Sequence, residues 1–337
     1  MGKLSEGRKD VSVPLIIRVT YPQDWKSYNL AQSQEFKLFN DLLSDLVSNV
    51  EEPTQSIGRP KLSLRDELFC TIQKVYSQLS SRRSASLLEY SKSKVQISHK
   101  PHFNVSSKVL NKQGVTQILQ ELLSLTALPL KLVETGFATD SSGFRTTRFT
   151  PYAQQKYGHN KEYKWIKAHI TIGVKTNIIT AMEVGDAYSS DIRQFVPLIE
   201  RTKDLGFKIE EAYADKAYLS RRNLSYIDNL GGVPFIPFRI NSTGKPMGSK
   251  IYRQMFAMFM YNKEEFEKHY HKRSNVETTF FSMKQKLGDS LKSKNPIAQK
   301  NELLCKAIAY NILVLIQEMF GLGIKPDFSN GTDLNAN

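Results

Sequence analysis

The amino-acid sequence predicts an α/β protein: a mixed sheet flanked by helices, preceded by an all-α N-terminal region. Three observations carry this prediction. Up to about residue 130 the apolar residues recur at spacings of three and four, as amphipathic helices require. Beyond that point the texture changes to short, β-branched runs broken by turn residues. These runs then alternate with helical stretches, the order of a sheet with helices packed on it. The chain has 337 residues. That length suits about two domains, because single cores stop growing near roughly 250–300 residues. The expected division is a helical region at 1–130, an α/β domain at 131–320, and a polar tail at 321–337 expected to be disordered.

Each element has its own warrant. Residues 1–20 lack helical periodicity and read as an arm or an edge strand. From Ser27 to Val50, the residues Leu30, Phe36, Phe39, Leu42, Leu43, Leu46 and Val50 form one apolar stripe, hence an amphipathic helix or two. Residues 51–62, with two prolines and a glycine, form a linker. Ser63 has the chemistry of an N-cap, with Asp66 and Glu67 in the first turn of the helix it opens. Ser-Ser-Arg-Arg at 80–83 ends that helix, SASLLEYS begins a short second one, and VTQILQELLSLTAL is a third. Residues 63–95 thus have the outline of a helix-turn-helix, with an ordinary helical bundle as the alternative.

Strands are expected at Val133–Ser141, Thr146–Phe149, His169–Val174 and Ile178–Val184, the last two joined by a Lys-Thr-Asn turn. A helix follows from Ser190 to Leu205 and ends at Gly206, a residue suited to a C-cap. Ile209–Ala214 is the next strand, Ser220–Leu230 a helix closed by two glycines, and Val233–Phe238 a proline-bearing edge strand. Residues 241–249 are a loop. Two helical stretches, 250–290 with breaks and 297–320, complete the domain.

Composition narrows the function. The formal charge is +14, and between His269 and Lys300 seven Lys or Arg face only Glu277 and Asp289. Nucleic acid is therefore the first partner to test. Two cysteines, Cys70 and Cys305, exclude a disulfide framework and a Cys₄ zinc site and fit a reducing, cytoplasmic setting. No uninterrupted apolar run approaches the about 18 residues of a membrane span; the best, Ala307–Ile316, contains Tyr310 and Asn311. The first ten residues have no signal-peptide core, and Glu6 removes a myristoylation motif.

The chemistry resides in carboxylates. Asp140 ends the first predicted strand (FATDSSG) and Asp215 the fourth (AYADKAY), at the strand ends where α/β sheets place their sites. Two such carboxylates suit a hard cation such as Mg²⁺. Asp186 and Asp191 compete on composition, Asp191 being more simply a helix-start residue. Farther on, Tyr270, Arg273, Glu277 and Lys284 are spaced three, four and seven apart, which keeps them on one face of an α-helix. Val276, Phe280, Met283 and Leu287 form the adjacent apolar stripe. A surface helix laced with salt bridges has the same pattern.

The Tyr-x₂-Arg-x₃-Glu-x₆-Lys pattern at Tyr270, Arg273, Glu277 and Lys284 resembles the signature of one group of DDE transposases of prokaryotic insertion sequences. ATDSSGF at 138–144 looks like their first-aspartate motif, and AYADKAY at 212–218 is similar to their second. The resemblance covers about residues 130–320, and more loosely the helices at 63–110. It implies an RNase H-like catalytic domain in which Asp140, Asp215 and Glu277 hold two Mg²⁺ ions, for which Mn²⁺ can substitute. It implies a double-stranded DNA substrate comprising the element's terminal repeats and a target. It implies cleavage that frees a 3′-OH for transfer to the target, action as a homodimer because two ends must be paired, and a nucleoid-associated location. Arg273, Lys284 and Tyr270 are then expected to hold DNA near the cut, with Lys216 a further phosphate contact. Two features depart from the pattern. The first motif reads Asp-Ser-Ser-Gly, and only 62 residues separate Asp215 from Glu277, which leaves no room for a large β insertion. Two rival readings remain. His269-Tyr270-His271 matches the metal triplet of single-strand nucleases that attack with tyrosine, provided it lies on a strand. A DNA-binding regulator that has lost catalysis would keep the same fold.

Overall fold

The computed structural model describes residues 24–54, 61–146, 156 and 165–328. The expected arm at 1–20 and strand residues 147–149 lie outside these; Thr146 itself has no regular secondary structure.

The N-terminal region is helical throughout its described part. The first stripe forms a single helix, α1 (Trp25–Ser48), whose N-cap Asp24 accepts a hydrogen bond from the Ser27 amide. Ser63 caps α2 (Leu64–Ser77) by accepting from the Asp66 amide. There follow α3 (Ala85–Ser93), α4 (Val105–Leu110) and α5 (Val115–Ala127). The sequence pattern did not announce α4, because six residues are too few to display a helical period.

Among the described residues the sheet has five strands: β1 (Gly136–Arg145), β2 (Trp165–Gly173), β3 (Ile179–Asp186), β4 (Glu211–Ala214) and β5 (Val233–Phe235). Their order is β3-β2-β1-β4-β5. The first three form an antiparallel meander, and β4 and β5 join β1 in parallel. The parallel connections run through α6 (Asp191–Asp204) and α7 (Arg221–Asn229). The short β5, three residues shorter than expected, lies on the edge, as Pro234 requires. The strand expected over Val133–Ser141 begins three residues later and runs on to Arg145, so Asp140 lies within it rather than at its end. Glu134 is buried and turned toward the β2–β3 turn, where its carboxylate accepts from the amides of Lys175 and Thr176 and the Thr176 hydroxyl. This works only because residue 173 is glycine: a Cβ there would meet the Glu134 carboxyl carbon at 2.3 Å.

After β5 come α8 (Lys250–Tyr261), α9 (Lys263–Tyr270), a 3₁₀ turn (His271–Arg273), α10 (Ser274–Leu287) and α11 (Pro296–Gly321). Helix α11 is the spine of the molecule. It packs on α1, α2 and α5 on one side and on β3 on the other, so the helical region and the sheet share one continuous core. By length and composition α11 could cross a membrane, but 78% of its apolar window is buried inside the protein. The tail expected to be disordered from 321 docks at Phe328, which is buried in the core, while residues 329–337 lie outside the described residues.

Glu318, near the end of α11, titrates at about 7, lifted first by burial and then by the charge of Glu134. A carboxyl raised in the folded state binds its proton more tightly there than in the unfolded chain. Its charge therefore costs stability as pH rises from its ordinary value of 4.5 to about 7. Glu318→Gln is expected to raise Tm at pH 8, with the gain fading toward pH 5. A thermal melt series across that range checks it.

Candidate active site

The register of the parallel pair builds the site. Thr139 of β1 stands opposite Ala214 of β4, so Asp140 and Asp215 are the next residues along neighbouring strands, at the carboxyl end of β4. Asp215 opens a 3₁₀ turn, Lys216–Tyr218, and its carboxylate accepts from the Lys216 amide at 2.6 Å. Asp140 accepts from the Ser141 amide at 2.8 Å. Glu277 arrives from α10, in its first turn, where a carboxylate is favoured by the helix dipole. The apolar stripe Val276, Phe280, Met283 and Leu287 is buried as expected and fixes the rotation of α10 against β1.

Arg273 ties these pieces together. Its guanidinium donates to Asp140 at 3.0 Å and also to Glu277. The Arg273 and Asp140 side chains are only 17% and 21% exposed, whereas Glu277 is 58% exposed. Burial lifts the Asp140 carboxyl above the usual carboxylate range. The Ser141 amide and Arg273 draw it back, and the charges of Asp215 and Glu277 push it up again. Asp140 thus feels the charges of two other carboxylates and shares one cation, Arg273, with Glu277. Among the described residues, no group of three or more His, Cys, Asp or Glu side chains is close enough as it stands to hold a metal ion. Arg273 takes the position of counter-cation to Asp140 and Glu277.

Lys284 reaches the same strand. Its ammonium donates to the Ser142 hydroxyl at 2.6 Å and lies 4.9 Å from the centre of the Phe144 ring; burial lowers its pKa. Tyr270 is half-buried, stacked on Phe266, with the Arg273 guanidinium 5.9 Å from its ring centre. Burial raises its phenol pKa, and the charges of Asp215 and Asp140 contribute. Lys216 is exposed beside Asp215, and only its backbone amide touches the carboxylate.

Two expectations are corrected. Tyr270, Arg273, Glu277 and Lys284 do not lie on one helix. Tyr270 ends α9, Arg273 sits in the 3₁₀ turn, and only Glu277 and Lys284 belong to α10. The turn brings Arg273 over Asp140. Likewise His269-Tyr270-His271 is helical rather than extended. His269 is engaged structurally, its Nδ1 2.6 Å from Glu211 and its ring stacked on Phe235, so the tyrosine-nuclease reading fails. Ser142 escaped notice as a site residue. It appeared only as the departure from the expected first motif, yet it is the residue that receives Lys284.

A five-stranded mixed sheet with three meander strands, two parallel additions and facing carboxylates at their junction defines an RNase H-like DDE catalytic domain. The chain belongs to the transposase DDE domain family, whose model matches residues 131–312, more than half of its length. A search of curated proteins gives no match. As a member of that family the protein is a transposase-class enzyme, DNA is its partner, and divalent metal is its kind of cofactor.

Proposed function

We propose that the protein is the transposase of an insertion sequence of the Tyr-Arg-Glu-Lys group. It binds the element's ends, cuts them by metal-dependent hydrolysis, and transfers the freed 3′-OH to target DNA. The observation that carries this is the meeting of Asp140 and Asp215 on adjacent strands with Glu277 linked to Asp140 through Arg273.

The donor set fits a hard divalent cation: all its atoms are oxygens, and Asp140 is a partly buried carboxyl crowded by two others. Asp140, Asp215 and Glu277 would hold two ions, Mg²⁺ with Mn²⁺ as a substitute. The pairs that Arg273 makes with two of these carboxylates have to open for that binding, since guanidinium and metal compete for the same oxygens. When bound, such ions activate the nucleophile and stabilise charge on the attacking and leaving oxygens. The chain's own groups position DNA. Released from the carboxylates, Arg273 can grip a phosphate in bidentate fashion, while Lys284 acts as a point charge. Tyr270 offers a phenol for a phosphate or a face for a base. Lys216 lies at the exposed rim. Two such sites, one per element end, call for a homodimer on DNA. The helices at 63–95 are the proposed reader of the terminal repeats.

The test uses the full-length protein with DNA carrying both flanks of its own gene, with Mg²⁺ or Mn²⁺. Strand breaks ending in 3′-OH at the element boundary are expected. DNA bound but never cut, with either metal, would make the protein a regulator instead. Lys284→Ala is expected to reduce the slope of log affinity against log salt by about one unit. A salt titration of binding checks this, and an unchanged slope would place the lysine away from phosphate.

A further inference from the structure

Asp191 does more than begin a helix. Its Oδ1 accepts from the Ser141 hydroxyl at 2.8 Å, lies 2.7 Å from the Lys167 ammonium, and lies 3.4 Å from Nδ1 of the fully buried His169. The other imidazole nitrogen is 2.8 Å from the Ser189 hydroxyl. A helix N-terminus by itself explains a negative charge at this position. It does not explain why partners from two strands converge on one oxygen.

Their place in the sheet supplies the reason. Successive strand residues face opposite sides, so Ser141 and Asp140 stand back to back. Asp140 meets Arg273, which precedes α10, and Ser141 meets Asp191 on α6. The two sides are joined at one group, the Ser141 amide, which donates to Asp140 at 2.8 Å. A second connection runs to the other aspartate. The Asn223 side-chain amide donates at once to the carbonyl of Tyr218, the last residue of the Asp215 turn, and to the carbonyl of Ile192, next to Asp191. Tyr218 is buried, and the charge of Asp191 bears on its phenol more than those of Asp140 and Asp215 do.

We propose that Asp191 is a positioning residue for strand cleavage. From the back of the sheet it fixes, through Ser141, the amide that orients Asp140, and its helix start anchors the turn that carries Asp215. The inference rests on the cleavage reading above. Without the Asp191 carboxylate, the Ser141 hydroxyl loses its acceptor and the Asp140 segment loses its support from behind. A displacement of about 1 Å at a reacting centre costs on the order of a hundredfold in rate.

The experiment compares wild type with Asp191→Ala, Ser141→Ala and Ser141→Thr on the same end-bearing DNA. Single-turnover cleavage rate and DNA affinity are measured separately. Asp191→Ala and Ser141→Ala are expected to slow cleavage by roughly 10- to 100-fold, with affinity within about twofold of wild type. Ser141→Thr, which keeps the hydroxyl, is expected to restore most of the rate. General loosening of the fold would instead lower affinity and rate together, and threonine would not rescue it. Should Asp191→Ala fail to fold, the two Ser141 variants decide the matter. Wild-type cleavage rates in Ser141→Ala overturn this inference alone. A wild-type protein that cuts no DNA overturns the cleavage reading, and this inference with it.

Discussion

Asp140→Asn is expected to abolish DNA cleavage, by roughly a thousandfold or more, while leaving DNA affinity within about twofold; that loss is about 4 kcal/mol of transition-state stabilisation. Asparagine keeps the size of the side chain and an oxygen for the Ser141 amide, so the backbone has no reason to move. It removes the charge that would hold a divalent cation at the proposed site. The same loss is expected for Asp215→Ala and Glu277→Ala, and the double variants should be little worse than the singles, because groups that act as a unit are strongly non-additive. Stability offers an independent readout. Asp140 is partly buried, and burial and its two acidic neighbours raise its pKa, so its charge is held against the preference of the fold. Neutralising it should leave Tm equal to or above the wild-type value, the usual exchange between stability and activity at a working site. Cleavage assays beside thermal melts give both numbers. Wild-type cleavage by Asp140→Asn would remove Asp140 from the chemistry.

Asp140 and Asp215 were legible in the sequence because each follows an apolar run and precedes polar residues, a local signal; for Asp215 those residues form a turn, whereas for Asp140 they continue β1 to Arg145. The helix carrying Glu277 was legible for the same reason, since Val276, Phe280, Met283 and Leu287 keep a strict helical period. What the sequence concealed depended on distant partners. Nothing near Glu134 indicates that it serves a turn forty residues away, so the sequence pattern starts β1 too early. The break between Tyr270 and Ser274 is invisible to a periodicity argument, because a single 3₁₀ turn barely disturbs the spacing. Arg273 was expected to face phosphate. Its pairing with Asp140 follows from the packing of that turn on β1, which no local pattern records. Locally Asp191 is a helix-start residue, and no local pattern records that Ser141, Lys167 and His169 reach it from two strands.

Asn311→Leu is expected to be among the most destabilising single changes in the protein, although it puts an apolar residue into an apolar helix. In the sequence Asn311 merely interrupts the run from Ala307 to Ile316. In the structure it is fully buried in α11, facing β3, the first strand of the sheet order and therefore an edge. An edge strand presents backbone groups that no further strand satisfies. Here α11 covers that edge, and a covering helix would strand those groups away from water. Asn311 prevents this: its Oδ1 accepts from the Ile179 amide at 2.9 Å, and its Nδ2 donates to the Ile179 carbonyl at 2.7 Å. The same Nδ2 donates to the Thr126 hydroxyl of α5 at 2.8 Å, so one side chain joins the helical region, the spine helix and the sheet. Leucine leaves two buried backbone groups, the Ile179 amide and carbonyl, without partners at about 1–3 kcal/mol each, a total on the order of 4 kcal/mol, while the Thr126 hydroxyl keeps its bond to the Leu123 carbonyl. Against a typical net stability of about 5–15 kcal/mol, such a loss shifts the urea midpoint far to the left. Leucine is bulkier than asparagine, so no cavity is left and overpacking adds to the loss. An unfolding midpoint close to wild type would show that water or a shifted β3 backbone satisfies those groups instead.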